Sequence, residues 1–178
     1  MAAEAERARV FFALWPGTTT AESLAHIASE AHKRFAGRLM RPETLHLTLA
    51  FVGTIERTRI ADLVAAGDRV RVPRIELSID TLGQWQKKHI VWAGPAEPGV
   101  ALVSLVESLR AELEEAGMAL ERRPFVPHVT LLRNADCDTG RNALACPLKW
   151  QVNGFVLVES RLQSTGAGYE VLARWPRQ

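Results

Sequence analysis

The stretch Leu45-His46-Leu47-Thr48-Leu49-Ala50-Phe51-Val52, closed by Gly53, opens with strict alternation of apolar and polar residues. Alternation of period two is the mark of a β-strand with one buried face. Leu45, Leu47 and Leu49 then share the packed face, and His46 and Thr48 stand side by side on the other. A second stretch, Pro127-His128-Val129-Thr130-Leu131, repeats the order His, aliphatic, Thr, aliphatic, 82 residues later (128 − 46). That spacing is close to half of the 178-residue chain. Each half also reads as a helix flanked by strands, so the pattern predicts two similar lobes facing each other.

Outward from these motifs the chain alternates between the two periodicities. Arg9–Trp15 is an apolar run stopped by Pro16-Gly17, a strand and its turn. Over Thr18–Phe35, Leu24, Ile27, Ala28, Ala31 and Phe35 recur at helical spacing, with Thr18–Thr20 as candidate caps and Gly37 past the end. A second helix is expected over about Arg57–Val70, a strand over Ile75–Ile79, and another over His89–Trp92. Leu102, Leu105, Val106, Leu109 and Leu113 form the stripe of a third helix, Gly99–Ala116. Pro124 and Pro127 argue against a helix before the second motif. Asn134–Pro147 is polar and turn-rich and reads as a loop. Trp150–Glu159 and Tyr169–Ala173 read as two strands joined through Ser164–Gly168. Strands and helices alternate early and strands dominate late, so the class is α+β (α/β), in one compact unit spanning 1–178.

Composition narrows the function. With 47% hydrophobic and 24% charged residues the chain is an ordinary globular domain, neither disordered nor fibrous. No apolar run approaches the roughly 20 residues a membrane-spanning helix needs, and the acidic start, Met1–Arg7, does not resemble a secretory signal. A cytoplasmic location and a monomer without membrane association are the expectation. Cys137 and Cys146 lack CxxC spacing and read as reduced thiols. All but four of the 22 basic residues (Lys33, Lys87, Lys88 and Lys149) are arginine, whose planar fork suits phosphate oxygens.

Two imidazoles and two hydroxyls around one cavity supply a general acid, a general base and hydrogen-bond donors for an anion. No HExxH motif, Cys/His cluster or GxxxxGK[ST] loop accompanies them, so neither a zinc site nor a P-loop is indicated, and no cofactor is expected. His26, His32 and His89 lack partner motifs and read as ordinary structural residues.

The paired motifs, with RVFFALWP, LHLTLAFVG (Leu45–Gly53), Gly83-Gln84-Trp85, RPFVPHVTLLR (Arg123–Arg133) and ESRLQSTGAGYEVLARWP (Glu159–Pro176), resemble the 2H phosphoesterases. Within them the resemblance is to the bacterial RNA 2′,3′-cyclic phosphodiesterases, historically called 2′-5′ RNA ligases. It implies a bilobal fold with pseudo-twofold symmetry around a central cleft. It also implies metal-independent hydrolysis of a terminal 2′,3′-cyclic phosphate to a 2′-phosphate, on RNA ends such as tRNA halves, with 2′-5′ ligation as an allowed companion reaction. By the same resemblance His46 is the proton donor and His128 the proton acceptor, and Thr48, Thr130 and Arg133 bind phosphate. Strict alternation puts Arg133 on the face opposite His128, so it reaches the cleft only where the strand ends or bends near Leu132. Phe125 and Trp85 are candidates for base stacking, Phe11 a weaker one, and Arg38, Arg41, Arg122 and Arg123 flank the motifs as candidate backbone contacts. The alternatives are a 2H enzyme acting on 2′-5′ oligonucleotides or a small cyclic phosphate, and an RNA-end-binding protein without turnover.

Overall fold

The structure is a computed structural model that describes residues 6–138, 140–163 and 166–176. In chain order the elements are β1 (Arg7–Leu14), α1 (Thr18–Phe35), β2 (Arg38–Leu39), β3 (Leu47–Glu56), α2 (Ile60–Arg69), β4 (Ile75–Trp85), β5 (Ile90–Gly94), α3 (Val100–Glu115), β6 (Val129–Arg133), β7 (Arg141–Val152), β8 (Phe155–Gln163) and β9 (Gly166–Trp175). The strands form one sheet in the order β7-β4-β5-β6-β3-β1-β8-β9, with β2 beside β6. Every pairing is antiparallel.

The order reads as two halves that mirror each other about the β6–β3 junction. β1 and β3 are antiparallel neighbours with α1 between them in sequence, and β5 and β6 are antiparallel neighbours with α3 between them. β3 and β6 meet through the pair Leu47↔Val129, and β2 adds Arg38↔Arg133 and Leu39↔Leu132 to the junction. Leu47 and Val129 are the central aliphatic residues of the two motifs, so the pseudo-twofold axis runs between them.

All three helices pack on one face. Their apolar stripes, including Leu24, Ala28, Phe35, Leu63, Leu105 and Leu109, join Leu45, Leu47, Leu49, Val129, Leu131 and Leu132 in one core. The helices exchange halves: α1 packs on β6 and β7, α3 on β3, and α2 on α3 and β9. The motif side chains are left on the opposite, open face. No helix among the described residues is long and apolar enough to cross a membrane.

Two expectations for the final third shift. The presumed loop Asn134–Pro147 is strand over its second half, because β7 begins at Arg141 and pairs with β4. As an edge strand with most of its side chains in solvent it carries no burial alternation over Arg141–Pro147, and Pro147 is tolerated there. The register jumps from Ile79↔Leu148 to Thr81↔Ala143, so Leu144–Pro147 bulge out of the ladder. The presumed single strand Trp150–Glu159 is two, broken at Asn153-Gly154. There Gly154 passes so near the C-terminal segment that a Cβ would lie 2.0 Å from the Trp175 carbonyl oxygen. β4 also runs on to Trp85, beyond the expected end at Ile79. The expected hairpin joins β8 to β9 with Gln163 opposite Gly166; Ser164 and Thr165 at its tip, like Met1–Ala5, lie outside the described residues.

Candidate active site

Antiparallel geometry builds the site from the Leu47↔Val129 pair. Both residues are fully buried on the helix side, so their neighbours in sequence point the other way. Counting outward from an antiparallel pair sets His46 towards Thr130 and Thr48 towards His128, with the two histidines on a diagonal. The four side chains line one recess of about 130 Å³, together with Met40, Thr44, Arg133 and Tyr169. That is roughly four water volumes, on the scale of one phosphoryl group. The lining holds two imidazoles, one guanidinium and three hydroxyl-bearing threonines but no carboxylate, a donor set matched to an anion.

Each imidazole is fixed in the same way. The ring Nδ1–H of His46 donates to the Thr44 carbonyl at 2.7 Å, and that of His128 to the Val126 carbonyl at 2.8 Å. Both acceptors lie two residues upstream, in irregular backbone that leads into the strand. Before His46 the lead is a short 3₁₀ turn, Pro42–Thr44, tightened by the Thr44 hydroxyl donating to the Arg41 carbonyl at 2.7 Å. Before His128 it is Pro127, which holds Val126 in extended conformations. With Nδ1 committed, Nε2 is the atom each ring offers to a ligand.

The rings differ in their surroundings. His46 is enclosed by Trp15, stacked at 5.2 Å and 4° from parallel, by Phe11 at 4.9 Å, and by the edge of Tyr169 at 5.2 Å. Burial in this collar pushes its pKa down to about 4. The hydrogen bond to Thr44 opposes the shift, and the charges of His128 and Arg133 add to it. His128 meets Trp85 edge-on at 4.4 Å and Trp92 at 6.2 Å. Its pKa is lowered as well, first by burial and then by the charges of Lys88 and Arg133, against the hydrogen bond to Val126.

Arg133 reaches the recess because the strand slips. β5 pairs Trp92 with Thr130 but Val91 with Leu132, so Leu131 has no partner in β5. Leu131 and Leu132 are both buried, and Arg133 returns to the open face. The signal was present in the sequence as two successive apolar residues after Thr130, which interrupt the alternation.

Beyond the recess a groove of about 670 Å³ runs over β3 and β6 and the segment before His128. Trp85 and Phe125, both half-buried, line it, as does Arg123, which pairs with Glu121 at 3.3 Å. Phe11 is 4% exposed and packs on His46, so it presents no face to a base. Arg38 lies in β2 opposite Arg133, Arg41 sits 3.6 Å from Glu43 outside the recess lining, and Arg122 is exposed and lines neither cavity. His26, His32 and His89 are likewise outside both cavities, and the two cysteines are free thiols. Trp15 and Tyr169 were not singled out from sequence. Trp15 follows Leu14, the partner of Leu47, and Tyr169 arrives from the last hairpin, so only the strand pairing places them beside His46.

The repeated architecture has a counterpart in comparisons with known proteins. A family model described as LigT like Phosphoesterase matches the chain twice, over residues 14–92 and 93–169, with one His-x-Thr motif in each match. An RNA 2′,3′-cyclic phosphodiesterase of Escherichia coli strain K12 is 33% identical over 175 residues, which cover 96% of this chain and 97% of that protein. A protein of the same description from Thermus thermophilus is 29% identical over 179 residues, covering 94% and 89%. The crystal structure of E. coli LigT complexed with 3′-AMP superposes with a TM-score of 0.86 at 32% identity, covering 96% of this chain and 98% of that one. Matched in both halves, and alike to these relatives from end to end, the chain belongs to the LigT-like phosphoesterase family.

Proposed function

We propose that the protein hydrolyses the terminal 2′,3′-cyclic phosphate of RNA to a 2′-phosphate, acting as a monomer in the cytoplasm. The observation that carries this reading is the recess itself: two Nδ1-anchored imidazoles on a diagonal, two threonines and Arg133 around a space for one phosphoryl group. The relatives described as RNA 2′,3′-cyclic phosphodiesterases support the substrate class.

Displacement at phosphorus places the attacking and leaving oxygens roughly in line, so an acid and a base are needed on opposite sides. His128 Nε2 takes a proton from water as the water oxygen bonds to phosphorus. The bond from phosphorus to the 3′ oxygen breaks, and His46 Nε2 gives its proton to that oxygen. The ribose keeps the phosphate on its 2′ oxygen, and proton exchange with solvent resets the pair. Thr48, Thr130 and Arg133 hold the non-bridging oxygens, whose charge grows as the attack proceeds. Trp85 and Phe125 offer faces for the terminal base. A 5′-hydroxyl in place of water gives a 2′-5′ bond by the same steps.

The environment of His46 sets a condition on this scheme. With a pKa near 4 the ring is neutral at pH 7 in the ligand-free protein, yet the acid must carry a proton. The phosphodiester anion supplies what is missing, because a negative charge beside Nε2 favours the imidazolium. His46 therefore takes up its proton with the substrate.

The test is product analysis of a 2′,3′-cyclic-phosphate oligoribonucleotide incubated with the protein in EDTA, beside His46→Ala and His128→Ala. A 2′-phosphate product from the parent alone is expected. An unchanged substrate, or a 3′-phosphate product, would overturn the reading.

A further inference from the structure

In the hydrolysis proposed above, the 3′ oxygen protonated by His46 stays on the ribose, and the ribose carries the rest of the strand on its 5′ side. In-line displacement sets that oxygen opposite the attacking water. The body of the RNA is therefore expected on the His46 side of the recess, away from His128.

On that side stands Trp15. Its ring lies on His46 and also lines another cavity, of about 610 Å³, where β8 begins and β9 ends. Thr48, Ala13, Val156 and Arg174 are successive cross-strand partners over β3, β1, β8 and β9. Direct partners share a face, so this row runs along the open side from a motif threonine to an exposed guanidinium. Three inter-strand spacings put Arg174 about 14 Å from Thr48, beyond the phosphate in the recess. Arg174 lines the Trp15 cavity.

A further cavity of about 400 Å³ adjoins it, since Val152, Asn153, Trp175 and Pro176 line both. Arg71 and Arg74 line this one. Neither cavity has a carboxylate in its lining. The side chains of Arg71, Arg74 and Arg174 are exposed and make no ion pair or hydrogen bond among the described residues. Arg57, Arg59, Arg69 and Arg161, by contrast, are each paired with an acid. Unneutralised guanidiniums along two abutting cavities, with an aromatic ring at the near end, form a groove suited to a single-stranded phosphate backbone.

We propose that the RNA strand upstream of the reacting end leaves the recess past Trp15 and follows this groove, with Arg174 and then Arg71 and Arg74 binding its backbone phosphates. The site then prefers an RNA end to a mononucleotide, whatever the sequence. The proposal rests on the phosphodiesterase reading for the direction of the strand, and a binding measurement separates the two.

A dodecaribonucleotide ending in a 2′-phosphate, and a nucleoside 2′-monophosphate, are titrated at several salt concentrations into the intact protein, Arg174→Ala and the double variant Arg71→Ala/Arg74→Ala. Each phosphate contact contributes about 0.7 to the slope of log affinity against log salt on a single strand. The dodecamer slope is expected to fall by about 0.7 in Arg174→Ala and about 1.4 in the double variant, with the mononucleotide changed less than twofold. Lys33→Ala, which removes a cation outside all of these cavities, should leave the slope as it is. Unchanged slopes, an equal fall in Lys33→Ala, equal weakening of both ligands, or a parent that binds both ligands alike would overturn the proposal. Absence of turnover on cyclic phosphates, with the expected slopes, would strike the catalytic reading alone.

Discussion

His46 lies flat on Trp15, 5.2 Å away and 4° from parallel, whereas His128 meets the edge of Trp85 at 4.4 Å and 77°. Two imidazoles with the same backbone anchor are thereby given different environments. Trp15 belongs to the collar whose burial dominates the His46 shift, so Trp15→Ala should admit water to the ring. Its pKa is expected to climb from about 4 towards the ordinary value near 6.5, followed by NMR titration of the imidazole signals. The His128 signals should move much less.

The pH profiles of kcat/KM and kcat should not coincide. The former reports the free enzyme, where both imidazoles titrate below their usual value, and the latter the complex. A bound phosphodiester raises both pKa values by opposing charge. The bell for kcat/KM is therefore expected at lower pH than the bell for kcat, in steady-state measurements from pH 4 to 9. Coincident bells would show that the substrate charge leaves the pair unmoved.

Arg133→Ala removes the one guanidinium in the recess lining. Loss of a donor aimed at developing charge costs on the order of 10²–10³ in kcat, and a drop of that size is expected. Arg133→Lys should recover only part of it, since an ammonium lacks the planar fork. The same substitution to alanine withdraws a positive charge that depresses both histidines, so their titrations should shift upward together.

Gly83 is a packing requirement of the second half. A Cβ at this position would lie 2.1 Å from the indole of Trp92, a fully buried ring that neighbours His128. Gly83→Ala should destabilise the fold by roughly 1–3 kcal/mol through overpacking, read from denaturant unfolding. It should also lower activity through the displaced indole.

Much of this site was legible without coordinates. The four motif residues share a face because a strand has period two, and their repetition half a chain apart announced the second half. Arg133 was harder to place, because parity assigns it to the wrong face. The pairs Leu49-Ala50 and Leu131-Leu132 break the alternation, but only the partner strands show that the break is a one-residue slip. Trp15 and Tyr169 depend on which distant strands lie side by side, which local periodicity does not encode. The edge strand β7 was missed because neither of its faces is buried over Arg141–Pro147, leaving no pattern to read.

The exchange of helices across the Leu47↔Val129 junction bears on how the molecule holds together. The few rungs that join the halves, Leu47↔Val129 with Arg38↔Arg133 and Leu39↔Leu132, are a short joint, and borrowed cover adds to it: α1 packs on strands of the second half, and α3 on β3 of the first. Neither half can shed the other without baring the apolar underside of its own strands. The two histidines are thus clamped in mutual register by the same burial that stabilises the fold, and any loosening of their spacing must be paid in exposed core.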